Sequence, residues 1–371
     1  MEGTKPRTAS SIGMFDMLKG AGMLTIVFAH TAELYPMQAV SGLSLTAFFP
    51  FIYREALMAA FFIASGYGFR KRSIHKCIHQ QLKSLLKPYA YTALFTCVLH
   101  FIIHYKTFQY LPGTIGESIK VTGGFLLGLP HTAKYFGQEF FSCGPMWYLL
   151  ALMVGWVLLD VILNIFPERY VPWAVAGCVL LGWGASLVWE LPFCLIQGAV
   201  VVPYLYIGFL AKKKHLLDEP LPSKVFAGLL GASALIAVGA LATRTTDCIS
   251  LAEWSLGPLS IFLDGAAGLL FIRLFMRLSR GHGPIVHFLE AVGRRSLNIF
   301  CVHTVEIIAI PWYLMVAKFS AQPVLGMWLQ YAISLGSIWL VCELLRVRRA
   351  LIIRFFPAQR RTPAVHYTSR H

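Results

Sequence analysis

Apolar runs long enough to cross a membrane recur from one end of this 371-residue chain to the other. A bilayer holds no water for backbone amides, so each run of about twenty residues must close its hydrogen bonds within itself, as a helix. Windows of that kind fall near 14–34, 47–69, 88–106, 145–166, 171–189, 193–211, 224–242, 255–276, 297–317 and 325–345. The expected fold is all-α: ten transmembrane helices around a polar cavity, in a single domain spanning 1–371. The longest link, 107–144, is interrupted by the apolar "GGFLLGL" and leaves no room for a separate soluble domain.

A net charge of +15 would suit nucleic acid in a soluble protein. In a polytopic chain the placement of Lys and Arg along the links carries the meaning instead. With the N-terminus inside, 25 of the 32 Lys and Arg residues fall in inner segments. The outer links hold only Lys106, Lys120, Lys134, Arg244 and Lys318. Both termini are therefore expected in the cytoplasm, with 1–13 and 353–371 as tails of an integral plasma-membrane protein whose surroundings are lipid and not nucleic acid. The first run keeps Asp16 and Lys19, which a cleaved signal would avoid, and is read as a retained span. Eight cysteines scattered singly, with no C-x-x-C, indicate neither a zinc ribbon nor a disulfide scaffold. The basic link "FRKRSIHKCIHQQLKSLLKPY" interleaves Ile78, Leu82, Leu85 and Leu86 with its cations, as a helix lying on the cytoplasmic face does. It is either a topology signal touching anionic lipid or a site for an anionic cosubstrate.

Within "FDMLKGAGMLTIVFAHTAEL", residues 15–34, a cation buried in a membrane helix costs about 2.5–3.5 kcal/mol, and something must offset that for Lys19. From Lys19 to His30 is about three whole turns plus 20°, a rise of roughly 16 Å, so both share one helix face at different depths. Asp16 lies beside Lys19 at i−3 and can neutralise it. Either Lys19 snorkels to the inner interface while His30 bonds between helices, or this face lines a polar cavity where His30 does acid–base or nucleophilic work.

The basic residue, ten intervening positions and His resemble the R/K-x10-H signature of the membrane acyltransferase 3 family, and "DMLKGAGMLTIVFAH" is similar to its sugar O-acetylase branch. Further segments resemble that family in the expected order. They are "MAAFFIASGYGFRKR" (58–72), "LKSLLKPY" (82–89), "GPMWYLLAL" (144–152), "PYLYIGFLAKKK" (203–214) and "GRRSLNIFCVH" (293–303). The chain departs from the pattern in using Lys19 where Arg is commoner, Ala59 for a usual Pro and Leu57 for a frequent second His. It also offers Lys83 and Lys87 in place of R-x-x-R.

The resemblance implies a ten-helix enzyme that moves an acyl group, commonly acetyl, from cytoplasmic acyl-CoA to a hydroxyl of a carbohydrate or lipid-linked glycan acceptor at the outer face. Acyl-CoA would be a cosubstrate and no cofactor would be tightly bound. The functional pair carries over to His30 and Lys19, with Asp16, Ser296, His303 and Glu306 supporting them. Arg70, Lys71, Arg72, Lys83 and Lys87 are the candidates for CoA phosphates, and Arg54, Glu55 and Trp147 for the acceptor. His303 and Glu306, at i, i+3, form either a structural pair or an active-site dyad. Trp147 reads as a sugar platform and Tyr148 as part of an aromatic belt. His100 with His104, and His75 with His79, have the i, i+4 spacing of a metal pair, but the sequence specifies no Cys or carboxylate partner for them, so no metal is expected. The competing class is a carrier in which Lys19, His30, Asp264 and Glu306 line a substrate or proton path without covalent chemistry.

Overall fold

The computed structural model describes residues 12–35, 56–218, 220–243, 245, 247–281 and 283–355. All ten windows land on helix where they are described, but ten spans is not the number that length and apolarity support. Among the described residues five stretches are long and apolar enough to cross a membrane: Ile74–Phe108, Gly144–Ile165, Ser223–Thr243, Pro258–Leu278 and Pro323–Arg348. The count rises to seven if each of two bent pairs is one span. Charge and length account for the difference. The first helix, α1 (Asp16–Glu33), carries Asp16, Lys19 and Glu33, and α2 (Met58–Gly68) is described over only 11 residues.

After α2 the basic link folds as α3 (Ile74–Gln81), then a π-helical turn at Leu82–Leu86, then α4 (Lys87–Phe108). The expected amphipathic helix is present and runs on into the span. Its Ile78 and Leu82 are exposed while Cys77, Gln81 and Leu85 are buried, so it has an apolar outer face for lipid and an inner face for the bundle. The link 107–144 holds α5 (Leu111–Leu127), which ends on left-handed Gly128, and a hairpin of β1 (Ala133–Tyr135) and β2 (Gln138–Phe140). Phe136 and Gly137 have positive φ, 52° and 75°, the two-residue turn that matches strand twist.

The second half comprises α6 (Trp147–Ile165), α7 (Val171–Ser186), α8 (Leu195–Val200), α9 (Val202–Lys213), α10 (Ser223–Thr243) and α11 (Pro258–Leu278). It closes with α12 (Pro284–Gly293), α13 (Ser296–Ala309), α14 (Trp312–Lys318) and α15 (Pro323–Phe355). The stretch Pro192–Val200 bends by 51° against α9, and α13 bends by 64° against α14. Pro203 and Pro311 lie at the two breaks, where a residue without an N–H cannot continue the helical ladder.

Helix α12 was not foreseen, and it positions the functional helix. A Cβ on Gly20 would meet the Leu289 carbonyl, and one on Gly293 the carbonyl of Asp16. Two glycines let α1 and α12 cross backbone to backbone, with α13 and α15 also packed on α1.

Candidate active site

Lys19 and His30 line one cavity of about 630 Å³, near opposite ends of α1. Between them the wall is apolar: Met23 and Ile26 from α1, Phe61 from α2, Leu149 and Leu152 from α6, Phe300 from α13. Ser296, the first residue of α13, is on the wall as well. At the Lys19 end Phe15 packs its ring edge-on to Tyr67, 5.4 Å between centroids, and Gly68 and Leu85 are also among the lining residues. Lys19 Nζ lies 3.3 Å from Asp16 Oδ1, with the two side chains 31% and 15% exposed. The cation is thus paired while still open to the cavity.

At the other end His30 Nδ1 is 3.5 Å from Glu33 Oε2. Glu33 lines the cavity too and was missed in the sequence, although its i+3 spacing from His30 is visible there. The His30 ring sits 5.6 Å from that of His303, tilted by 32°. His303 is buried, and its Nδ1 lies 3.0 Å from Glu306 Oε2, while Ser334 donates to Glu306 Oε1 at 2.8 Å. The sequence left this pair open between structural support and a dyad. The structure ties it to α15 on one side and lays it against His30 on the other.

A second cavity, of about 710 Å³, meets the first at His30 and shares Pro145, Trp147 and Ser250 with it. Trp147 therefore borders both. Tyr148 is not a belt residue. The 3₁₀ turn Gly144–Met146 leads α6 in so that Tyr148 faces α2, lines the first cavity and pairs its hydroxyl with Ser65 Oγ at 3.2 Å. Ser250 is held at the junction by its carbonyl, which accepts from His131 Nδ1 at 3.0 Å and from Gln197 at 3.5 Å. Beside them burial pushes the Glu190 carboxyl above the usual carboxylate range, with His131 and then Gln197 pulling it back.

The basic candidates are less concentrated than expected. Arg70, Lys71, Lys83 and Lys87 are exposed and do not line the cavity, although Gly68 and Leu85, close to them in sequence, do. Lys87 Nζ lies over the Tyr91 ring, 5.8 Å from its centroid. Arg72 faces a separate basic depression with His75, Lys76, His79 and Gln80, its side chain bonded to Gln80 and its backbone N–H to buried Asp160 at 2.9 Å. Arg54 and Glu55 lie outside the described residues. Asp264 and Glu306 are buried but line neither cavity.

With this geometry in place, comparison with known proteins adds one finding. The acyltransferase 3 family model, described as an acyltransferase domain, matches residues 12–347. No curated protein and no solved structure matches the chain.

Proposed function

The chain belongs to the membrane acyltransferase 3 family, and from that premise we propose that it moves an acyl group, acetyl in the simplest case, from acyl-CoA to a hydroxyl of a carbohydrate or glycolipid. One observation carries the reading: the cavity that joins Lys19 to His30 meets a second cavity at His30, so two substrates can reach that imidazole from different sides. Membership supports acyl transfer in a membrane. The donor, the acceptor, the plasma membrane and the direction from cytoplasm to outer face are parts of the proposal.

Acyl-CoA enters at the Lys19 end, which by the distribution of Lys and Arg is cytoplasmic. Its phosphates stay among Lys83, Lys87 and the exposed basic residues from Arg70. The narrow pantetheine arm runs along the apolar wall with Lys19 beside it, and the thioester arrives next to His30. With Glu33 holding Nδ1–H, His30 Nε2 takes the proton of the acceptor hydroxyl. The oxygen attacks the thioester carbonyl, the C–S bond breaks, and the CoA thiolate leaves with the proton returned by the imidazolium. The alternative order, in which Nε2 attacks first and carries the acyl group as an acyl-imidazole, uses the same positions. A carrier path through Lys19, His30, Asp264 and Glu306 is less well supported, because two of the four are off the cavity walls.

The test is transfer of labelled acetyl from acetyl-CoA to glycans by the purified protein in lipid. Label appearing on a glycan, and lost with His30→Ala, is the expected result. Transport of a solute by protein that transfers no label would favour the carrier.

A further inference from the structure

The second cavity has a side, built by α4 and α5, that neither the family's motifs nor the proposed chemistry at His30 uses. Helices α4 and α5 bring His100, His104 and Glu117 to it, and Phe141, Trp147 and Tyr313 add aromatic rings. The sequence offered His100 and His104 only as a doubtful metal pair. In the structure each turns its Nδ1 toward an α5 hydroxyl: His104 to Thr114 Oγ1 at 2.9 Å, His100 to Ser118 Oγ at 3.5 Å.

The His104 bond fixes a tautomer. Thr114 spends its one hydroxyl hydrogen on the Tyr110 carbonyl, 2.9 Å away, so it can only accept from His104. Nδ1 therefore carries the proton and Nε2 of the neutral ring is a bare acceptor, suited to a ligand hydroxyl. Glu117 adds carboxylate acceptors, and its charge is met by Lys120 Nζ at 2.8 Å, which itself lies 5.3 Å over the Phe141 ring. The wall thus combines hydrogen-bond acceptors, little net charge and three aromatic rings. A pyranose, with C–H faces and a hydroxyl rim, matches all of these, whereas an anionic sugar would bring its carboxylate to a lining of acceptors that, among the described residues, includes no Lys or Arg.

We propose that this cavity is the acceptor subsite and takes an uncharged hexopyranoside, its hydroxyls on His104 Nε2 and Glu117 and its faces on Phe141, Trp147 and Tyr313. That the occupant is an acyl acceptor rests on the acyl-transfer reading; the sugar site itself does not.

The experiment uses the full-length protein in detergent without any acyl donor. Binding of methyl hexopyranosides, with glucuronic acid as the charged comparison, is followed by saturation-transfer NMR, and folding by thermal denaturation. At least one methyl hexopyranoside should bind in preference to glucuronic acid. His104→Gln, whose amide oxygen reaches the position of Nε2, should retain binding. His104→Asn, which preserves only the contact to Thr114, should weaken it about fivefold, the loss of one neutral hydrogen bond. A purely structural His104 would give the opposite order and overturn the proposal, as would preference for glucuronic acid or binding of no hexopyranoside. If neither His104 variant folds, Tyr313→Ser on another wall decides: it should weaken the same sugar, and unchanged binding rejects the site. Sugar binding by a protein that transfers no acyl group would sink the catalytic reading and leave this subsite standing. Transfer that is indifferent to His104 and Tyr313 would do the reverse.

Discussion

The rings of His30 and His303 lie 5.6 Å apart, and His303 is the inner end of a hydrogen-bonded chain through Glu306 to Ser334 on α15. The Glu306 carboxylate accepts from Ser334 and holds His303 Nδ1, which fixes the ring that packs on His30. Glu306→Gln keeps the shape of the side chain and removes a charge-assisted bond, so kcat should fall on the order of tenfold while both KM values hold. Steady-state rates with labelled acetyl-CoA check this. An unchanged kcat with a lowered melting temperature would return the pair to a structural role.

His30→Ala should lower transfer by about 10²–10⁴-fold, the usual worth of a general base, and leave expression and insertion intact, because the Glu33 carboxylate it leaves is 41% exposed. Lys19→Ala should be damaging and should also destabilise, since it leaves the half-buried Asp16 without its partner 3.3 Å away. Lys19→Arg keeps the charge at that depth and should keep measurable activity. Equal loss in Arg and Ala variants would show that Lys19 needs more than its charge.

The motifs made α1 legible because a charged residue in a membrane span has few explanations. The apolar windows likewise found helix wherever the structure describes them. What stayed hidden depended on distance in sequence. Glycines 20 and 293 are unremarkable until α12 is seen crossing α1, and His104 looked like half of a metal pair until Thr114 claimed its Nδ1. The count of ten spans is not confirmed: five stretches among the described residues pass on length and apolarity, seven with the two pairs bent near Pro203 and Pro311, because hydropathy windows register neither a bend nor the charges and shortness of a helix such as α1 or α2. Tyr148 was misplaced because periodicity cannot tell a lipid face from a cavity face when both are apolar.

The crossing of α1 and α12 leaves no room for a side chain at Gly293, where a Cβ would press on the Asp16 carbonyl. Gly293→Leu should push α1 from its place, lowering the melting temperature and taking activity with it, by more than Gly177→Leu, whose Cβ meets nothing within 4 Å. Thermal denaturation in matched detergent compares them. Equal melting temperatures would mean that the close approach is not needed.

Donor and acceptor should enter from opposite sides, because the Lys19 end of the first cavity lies beside the basic link and the second cavity opens beyond His30. Lys83 and Lys87 are exposed charges, so whatever they contribute to phosphate binding is screened by salt. Lys83→Gln with Lys87→Gln should raise the KM for acyl-CoA at low ionic strength, converge with wild type at high salt, and leave the acceptor KM nearly unchanged. Sealed vesicles of known orientation test the sidedness directly. Acetyl-CoA supplied only on the face that exposes Lys83 should support transfer to a glycan present only on the other face. Transfer seen only with both substrates on the Lys83 face would reject the two-sided route while leaving acyl transfer in place.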